Sequence, residues 1–255
     1  MSTRSTPDLS IVIPCFNESD GLPELARQLQ PTLDSLRRDR TVEVIFIDDG
    51  STDGTYALLQ RLFGADPGIR IVQHGTNKGL GAAIRTGTKE SAGRIVVFTD
   101  SDCTYPPSTI PSLLALMTPD IDIVTSSAYH PRGGVEGVPA YRLLFSRGAS
   151  LLYRVLVSPR INTWTAMYRA YRREVLEQVQ TRTTGYVVMA ELLVEAMLRG
   201  YRVAEYPTVL HVRRYGQSKA KVWKITREHL RFQRHILWRR LAALLHLHSG
   251  PAVAR

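Results

Sequence analysis

The amino-acid sequence predicts an α/β domain with a mostly parallel central sheet, helices on both faces and a basic amphipathic helix at its C-terminal end. Three observations carry this reading. Short apolar, β-branched runs alternate with amphipathic segments. Acidic or glycine-bearing turns follow the runs, and between Val222 and Leu247 leucines interleave with arginines.

The first run, Leu9–Ile13, stops at Pro14 and has the composition of a buried parallel strand. Asn17 or Ser19 is the expected cap of the helix that follows. Leu22, Leu25, Leu29, Leu33 and Leu36 recur there at helical spacing, with Pro31 the expected kink. Val42–Ile47 is a second strand, ending in the acidic turn Asp48–Gly54, and Thr55–Leu62 a helix. Ile69–Gln73 is a third strand, Asn77–Gly93 a loop that becomes helical, and Ile95–Thr99 a fourth strand running into Asp100. Ile121–Thr125, Thr165–Tyr171 and Val203–Val212 read as further strands, Arg142–Leu156 and Val188–Arg199 as helices, and Pro131–Gly137 as a glycine-rich loop. No repeat or low-complexity linker divides the chain, so residues 1–220 are expected to form one catalytic domain and residues 221–255 a helical tail. Right-handed crossovers bring strand ends that precede helices to one sheet edge, where Pro14–Glu18, Asp48–Asp53 and Asp100–Asp102 should converge.

Composition excludes several classes. In 255 residues, 44% are hydrophobic and 22% charged, which is ordinary for a globular chain and not for a collagenous, disordered or disulfide-stapled one. The longest stretch without charge, Cys103–Pro119, carries four prolines and is no membrane-spanning helix. The polar N-terminus lacks the apolar core of a secretory signal, so a cytoplasmic location is expected. Cys15 and Cys103, too few for a disulfide framework, read as structural thiols. The net charge is +10, and between Arg202 and Arg240 eleven Lys or Arg residues face only Glu205 and Glu228. Such a segment favours anionic partners: nucleic acid, acidic lipid or phosphorylated substrates. The tail has two readings, a helix meeting anionic lipid or a leucine face packed on the domain.

Asp100-Ser101-Asp102, leaving a strand together, suits a hard divalent cation that also takes substrate phosphate oxygens, although aspartates are equally good turn residues. The Asp48–Thr55 turn has the same ambiguity; one of its carboxylates is placed to bond a base or ribose. In Asn77–Gly87, Gly79 and Gly81 precede a helix, where backbone N–H groups and Lys78 are expected to approach a phosphate. The loop is neither a P-loop nor a dinucleotide fingerprint. His74, His130 and His211 have no ligand spacing and read as surface or packing residues.

Taken together, Pro14-Cys15-Phe16-Asn17-Glu18, Asp48 to Thr55, Asn77 to Gly87 and Asp100-Ser101-Asp102 resemble, in order and approximate spacing, the family 2 glycosyltransferases with a GT-A (Rossmann-like) fold. Arg142 to Ala149 and Arg213 to Lys219 look like the branch of that family that glycosylates polyprenyl (dolichyl-type) phosphates. The resemblance covers about residues 9 to 220. It implies that Pro14, Phe16, Glu18, Ile47, Asp49 and Ser101 line a nucleotide-sugar pocket. It further implies that Asp100 and Asp102 address the diphosphate through Mg²⁺ or Mn²⁺, that Arg213 and Lys219 hold phosphates, and that Arg142 and Ser146 receive the acceptor phosphate. The implied reaction is inverting sugar transfer, with GDP-mannose the first expectation for the donor. The implied setting is peripheral, at the cytosolic membrane face, compatible with a separate membrane-anchor protein and without nucleic acid.

Three positions depart from the family pattern. Thr104 stands where the metal turn usually carries Gln. Ala128 stands where an acceptor-side Arg is usual, with Arg132 the available substitute. The segment usually written Asp-x-x-Ser-Gly-Phe-Arg reads Thr163 to Arg169, without the acid and the glycine. A hydroxyl acceptor is therefore the alternative; it would want a general base, for which Glu191 is the first candidate, with a structural role as its competing reading. A non-catalytic basic binding module is the third reading, opposed by the lack of any RNA-binding aromatic motif or zinc finger.

Overall fold

The computed structural model describes residues 6–213, 215 and 222–248. A seven-stranded sheet runs in the order β3-β2-β1-β4-β7-β5-β8. Its parallel half is β1 (Leu9–Cys15), β2 (Val42–Asp48), β3 (Ile69–Gln73) and β4 (Ile95–Phe98). β7 (Arg169–Arg172) then enters antiparallel between β4 and β5 (Ile123–Ser127), and β5 pairs in parallel with β8 (Val203–Pro207). A separate parallel pair joins β6 (Gly134–Glu136) to β9 (Val209–His211).

The two-residue side-chain period of the strands feeds two cores. Leu9, Ile11, Ile13, Val44, Phe46 and Val97 point to one face, covered by α1 (Leu22–Leu36), α2 (Thr55–Phe63) and α4 (Ile110–Ala115). Val12, Ile45, Ile47, Val96 and Phe98 point to the other, covered by α3 (Leu80–Glu90), α6 (Arg173–Gln178) and α7 (Val188–Leu198), with Tyr153 of α5 (Ala140–Leu156) and Ile236 of α8 (Val222–His248) joining that core. The five leucines read as the buried stripe of α1 are all buried, each stabilising the fold by about 1.5–3 kcal/mol.

Three details differ from the sequence reading. First, α1 runs through Pro31 without a break; Pro31 is exposed, so the backbone bond that its missing N–H leaves unmade falls on the solvent side of the helix, where it costs least. Second, neither Asn17 nor Ser19 caps α1, whose N-cap is Gly21 without a side-chain bond. Asn17 adopts φ 53° and accepts a hydrogen bond from Thr52 N–H at 2.8 Å, while Ser19 donates to Asp53. These polar residues tie the end of β1 to the turn after β2. Third, the strand expected over Val203–Val212 divides at Thr208 into β8 and β9, following Pro207, which has no N–H for a ladder.

Helix α8 packs on α5, but through His229, Gln233 and Ile236, all buried. Leu230, Leu237 and Leu241 are exposed, together with Trp223 and Trp238. Leu230, Leu237 and Leu241 are therefore not its packing face; the side chains of Leu244 and Leu245 lie outside those described.

Candidate active site

The ends of β1, β2 and β4 converge, as the crossover rule requires, on a cavity of about 570 Å³. Pro14, Phe16, Glu18, Asp49, Asp100, Ser101, Asp102 and Arg213 all line it. Ile47 does not; it is fully buried in the core beneath. Lys219 lies outside the described residues.

The acidic turn begins where β4 ends. Asp102 accepts the N–H of Thr104 at 3.1 Å, and Cys103 between them takes φ 56°. Among the described residues only Asn17 and Cys103 carry a positive φ without being glycine, and both stand on loops at this cavity. Removal from water, and then the charge of Asp102, push the Asp100 carboxyl well above the usual carboxylate range. Opposite stands Arg213. Its guanidinium bonds Glu18 through Nη2 and approaches Asp102 Oδ2 at 3.6 Å through Nε. Burial works against its charge, yet the hydrogen bond and charge of Glu18, then Asp102 and Asp100, hold it above the ordinary arginine value.

Among the described residues no three His, Cys, Asp or Glu side chains gather into a metal cage. Asp100 and Asp102 nonetheless fit a divalent ion: burial and then the charge of Asp102 disfavour the ionised Asp100 carboxyl even with Arg213 nearby, a cation on the pair would offset this, and Mg²⁺ or Mn²⁺ commonly completes its shell with water and phosphate oxygens.

Asp49 is buried and already engaged. Its Oδ1 faces His74 Nδ1 at 2.6 Å and accepts the Lys78 N–H at 3.0 Å, while Oδ2 accepts the Gly79 N–H at 2.8 Å. The Gly81 N–H goes to the Thr184 carbonyl at 2.8 Å. The backbone amides expected to cradle a phosphate are thus used within the protein at these three positions, which leaves the Asn77 and Lys78 side chains in the cavity wall to address a ligand from this loop. His74, read from the sequence as a packing residue, is buried and bonded at both ring nitrogens, to Asp49 and Thr86.

Leu80, Asp100, Met167 and Tyr186 are shared with a second cavity of about 230 Å³, lined further by Thr104, Tyr105, Ala128, Tyr129, Ser146, Thr163 and Thr165. Ser146 Oγ lies 2.7 Å from Thr165 Oγ1 there. Ala128 and Tyr129 in turn border an open groove of about 1010 Å³ along α5, walled by Leu143, Leu144, Leu151, Arg147 and Arg154. Arg142 is half-buried beside Tyr141 and forms no part of these three cavities, and Arg132 is exposed on the turn before β6. The cations that do border the groove are Arg154 and Arg147, the latter 5.3 Å from the centre of the Tyr129 ring. The only signal of Arg147 in the sequence was its place next to Ser146. Tyr186, Lys224 and Glu228, also in the wall of the large cavity, were not foreseen: nothing in the sequence shows that α8 returns to this edge.

Glu191 faces away from these cavities. It accepts the N–H groups of Arg182 and Thr183, each at 3.0 Å, and the Thr183 hydroxyl at 2.6 Å, which makes it the structural acid that fixes residues 182–184. At the segment that departs from the family pattern, Thr163 Oγ1 accepts the Tyr129 N–H, and Glu205 from β8 accepts the N–H groups of Asn162 and Thr163. A carboxylate reaches this segment from another strand.

The family described as "Glycosyl transferase family 2" matches residues 10–180. A polyprenol monophosphomannose synthase of Mycolicibacterium smegmatis is 34% identical over 225 residues, 86% of this chain and 83% of that protein. A dolichol-phosphate mannosyltransferase of Pyrococcus furiosus is 32% identical over 216 residues, 84% of this chain; the match spans 59% of that longer protein. Among solved structures, glucosyl-3-phosphoglycerate synthase of Mycobacterium tuberculosis with phosphoglyceric acid superposes with a TM-score of 0.69 at 22% identity, covering 90% of this chain and 80% of that one. The same enzyme with Mn²⁺, UDP and glucosyl-3-phosphoglycerate gives 0.65 at 23% identity, covering 97% and 82%. These structures establish a shared GT-A fold.

Proposed function

The chain belongs to glycosyl transferase family 2, and from that premise we propose that it moves one sugar, mannose in the first instance, from a nucleotide sugar to a polyprenyl phosphate. The observation that carries this reading is the continuity of the three cavities. A charged chamber with Asp100, Asp102 and Arg213 adjoins a small polar one with Ser146, which adjoins a groove walled by leucines and arginines. A charged donor, a reacting phosphate and an apolar tail need that sequence of environments. The names of the two curated relatives support the same acceptor class.

In this reading an acceptor phosphate oxygen attacks the anomeric carbon from the face opposite the nucleotide. The bond from that carbon to the diphosphate oxygen breaks, and the configuration inverts. The acceptor is already ionised at neutral pH, so no general base is needed, and alignment supplies much of the rate. Arg213 offsets the charge that builds on the departing diphosphate. Asp100 and Asp102 would hold a divalent ion, which would supply further Lewis-acid neutralisation of that group. Ser146 and Arg147 border the place where the acceptor phosphate would enter, with Arg142 one helical turn before Ser146. The hydroxyl-acceptor alternative loses its candidate base, because Glu191 is engaged with residues 182–184.

Among the described residues no helix is long and apolar enough to cross a membrane. Exposed Leu144, Leu151 and Val155 on α5, with Trp223 and Trp238 beside exposed arginines on α8, support docking on an anionic membrane surface. The test is transfer of labelled sugar from GDP- and UDP-sugars, with Mg²⁺ or Mn²⁺, to polyprenyl phosphate in vesicles and to soluble hydroxyl acceptors. Label in the lipid phosphate supports the reading; label only in the soluble product overturns it.

A further inference from the structure

The donor chamber already contains a cation, the guanidinium of Arg213. Its side chain is 14% exposed; it is in contact with Glu18 and 3.6 Å from Asp102. Asp100 completes three carboxylates around it, and Lys78, Lys224 and Glu228 stand elsewhere in the wall. A divalent ion on Asp100 and Asp102 would compete with this guanidinium for Asp102 Oδ2 and repel it at close range, where screening by water is weak. A diphosphate presents a better partner to the guanidinium fork than one edge of a carboxylate. Once drawn to the diphosphate, Arg213 leaves Asp102 open.

We infer that Arg213 is a resident counter-ion that keeps free divalent metal off Asp100 and Asp102 until a nucleotide diphosphate engages it. Metal and nucleotide binding are then positively coupled, each tightening the other by the same factor, and nucleotide binds first. The inference rests on the donor site proposed above. It goes beyond phosphate holding, since it gives Arg213 a function in the unliganded protein. Because a diphosphate also ligates the ion directly, coupling alone does not distinguish the two; a purely structural tether between Glu18 and the segment after β9 predicts no tightening of metal binding when the guanidinium is removed.

The experiment is a Mn²⁺ titration followed by electron paramagnetic resonance, on the full chain, alone and with GDP or UDP, in wild type, Arg213→Gln and Arg213→Lys. Wild type alone is expected to bind Mn²⁺ weakly and at least tenfold more tightly with one of the nucleotides. Arg213→Gln alone should bind Mn²⁺ at least tenfold more tightly than wild type, with a further gain from nucleotide that is smaller than in wild type, the remainder being the diphosphate's own bonds to the ion. Arg213→Lys, which keeps the charge, should stay within threefold of wild type for metal alone. Adding Asp102→Asn to Arg213→Gln should return the weak binding and so locate the ion. Should Arg213→Gln not fold, wild type still decides: the nucleotide must bind measurably in EDTA by calorimetry, and tight Mn²⁺ binding without nucleotide overturns the inference. Mn²⁺ binding to folded Arg213→Gln no tighter than to wild type overturns it as well, whatever the nucleotides do. If neither nucleotide changes Mn²⁺ binding in wild type while Arg213→Gln still tightens it, the masking stands and the donor reading falls.

Discussion

Replacing Gly81 by alanine sets two effects of opposite sign against each other at the edge of the donor chamber. Gly81 lies in the first turn of α3, where alanine is preferred to glycine by about 1 kcal/mol. A methyl group there would sit 2.1 Å from the Thr183 carbonyl oxygen and 2.8 Å from Thr184 Cα. Relief requires a movement of about 1 Å, at a typical overpacking cost of about 1–3 kcal/mol. The neighbour cannot turn aside, because it is backbone. Glu191 and Arg85 both hold Thr183, and the Gly81 N–H itself bonds Thr184 O at 2.8 Å, worth a further ~1 kcal/mol if lost. The clash wins, and Gly81→Ala should destabilise by about 1–3 kcal/mol, roughly 2–12 °C in melting temperature for a domain of this size. Gly148 is the control. It also lies in a helix, α5, but a methyl group there meets nothing within 4 Å. Gly148→Ala should therefore stabilise by about 0.5–1 kcal/mol. Urea unfolding followed by far-UV circular dichroism compares the two. A Gly81→Ala protein as stable as wild type, or raised in parallel with Gly148→Ala, would refute the close packing of α3 on residues 183–184.

Three further outcomes are expected. His229 is buried and accepts the Tyr153 hydroxyl at Nδ1, 2.9 Å away, and burial depresses its pKa from 6.5 to about 4. Because the unfolded chain binds this proton more readily, the stability from burying a neutral ring is full above pH 6.5 and falls as pH drops toward 4, by about 3 kcal/mol. Urea midpoints across that window should show the loss, and His229→Gln should flatten this part of it. Arg169 is fully buried and donates to Thr125 Oγ1, Trp164 O and Met189 O; Arg169→Lys cannot reach all three and should cost about 2–4 kcal/mol by the same denaturation assay. Asp102→Asn should abolish metal-linked nucleotide binding in calorimetry while the melting temperature shifts by less than about 3 °C, since Asp102 holds a local turn and one edge of the Arg213 guanidinium, which keeps its contact with Glu18.

The parallel half of the sheet was legible because its strands are uninterrupted β-branched runs. Ile69–Gln73 was read at its observed bounds, and Leu9–Ile13 and Val42–Ile47 each lie within the observed strand. The convergence of the Pro14, Asp48 and Asp100 turns followed from crossover handedness alone. Where the sequence misled, polar residues had a choice of partners. Asn17 and Ser19 have the chemistry of helix caps but bond across to the Asp48–Asp53 turn; Asp49 lines the cavity and at the same time bonds the Lys78 and Gly79 amides of the neighbouring loop, which the sequence did not show. Long-range returns were not legible. Arg147 over Tyr129, Glu205 at Thr163 and α8 beside Tyr186 each join residues more than fifteen positions apart, and no local pattern encodes that. The burial of His229, Gln233 and Ile236 in place of Leu230, Leu237 and Leu241 is of the same kind: His229 and Gln233 pack because Tyr153 and the Ala149 carbonyl are there to bond them.

The most direct test of the proposed activity is a single reconstitution. The full chain, polyprenyl phosphate in anionic vesicles, Mn²⁺ and labelled GDP-mannose are combined, with Asp102→Asn as the paired control and UDP-glucose as the competing donor. The account predicts labelled glycosyl phosphate lipid that depends on metal and disappears in Asp102→Asn. Label that passes only to a soluble hydroxyl acceptor, or lipid product undiminished in Asp102→Asn, would contradict it.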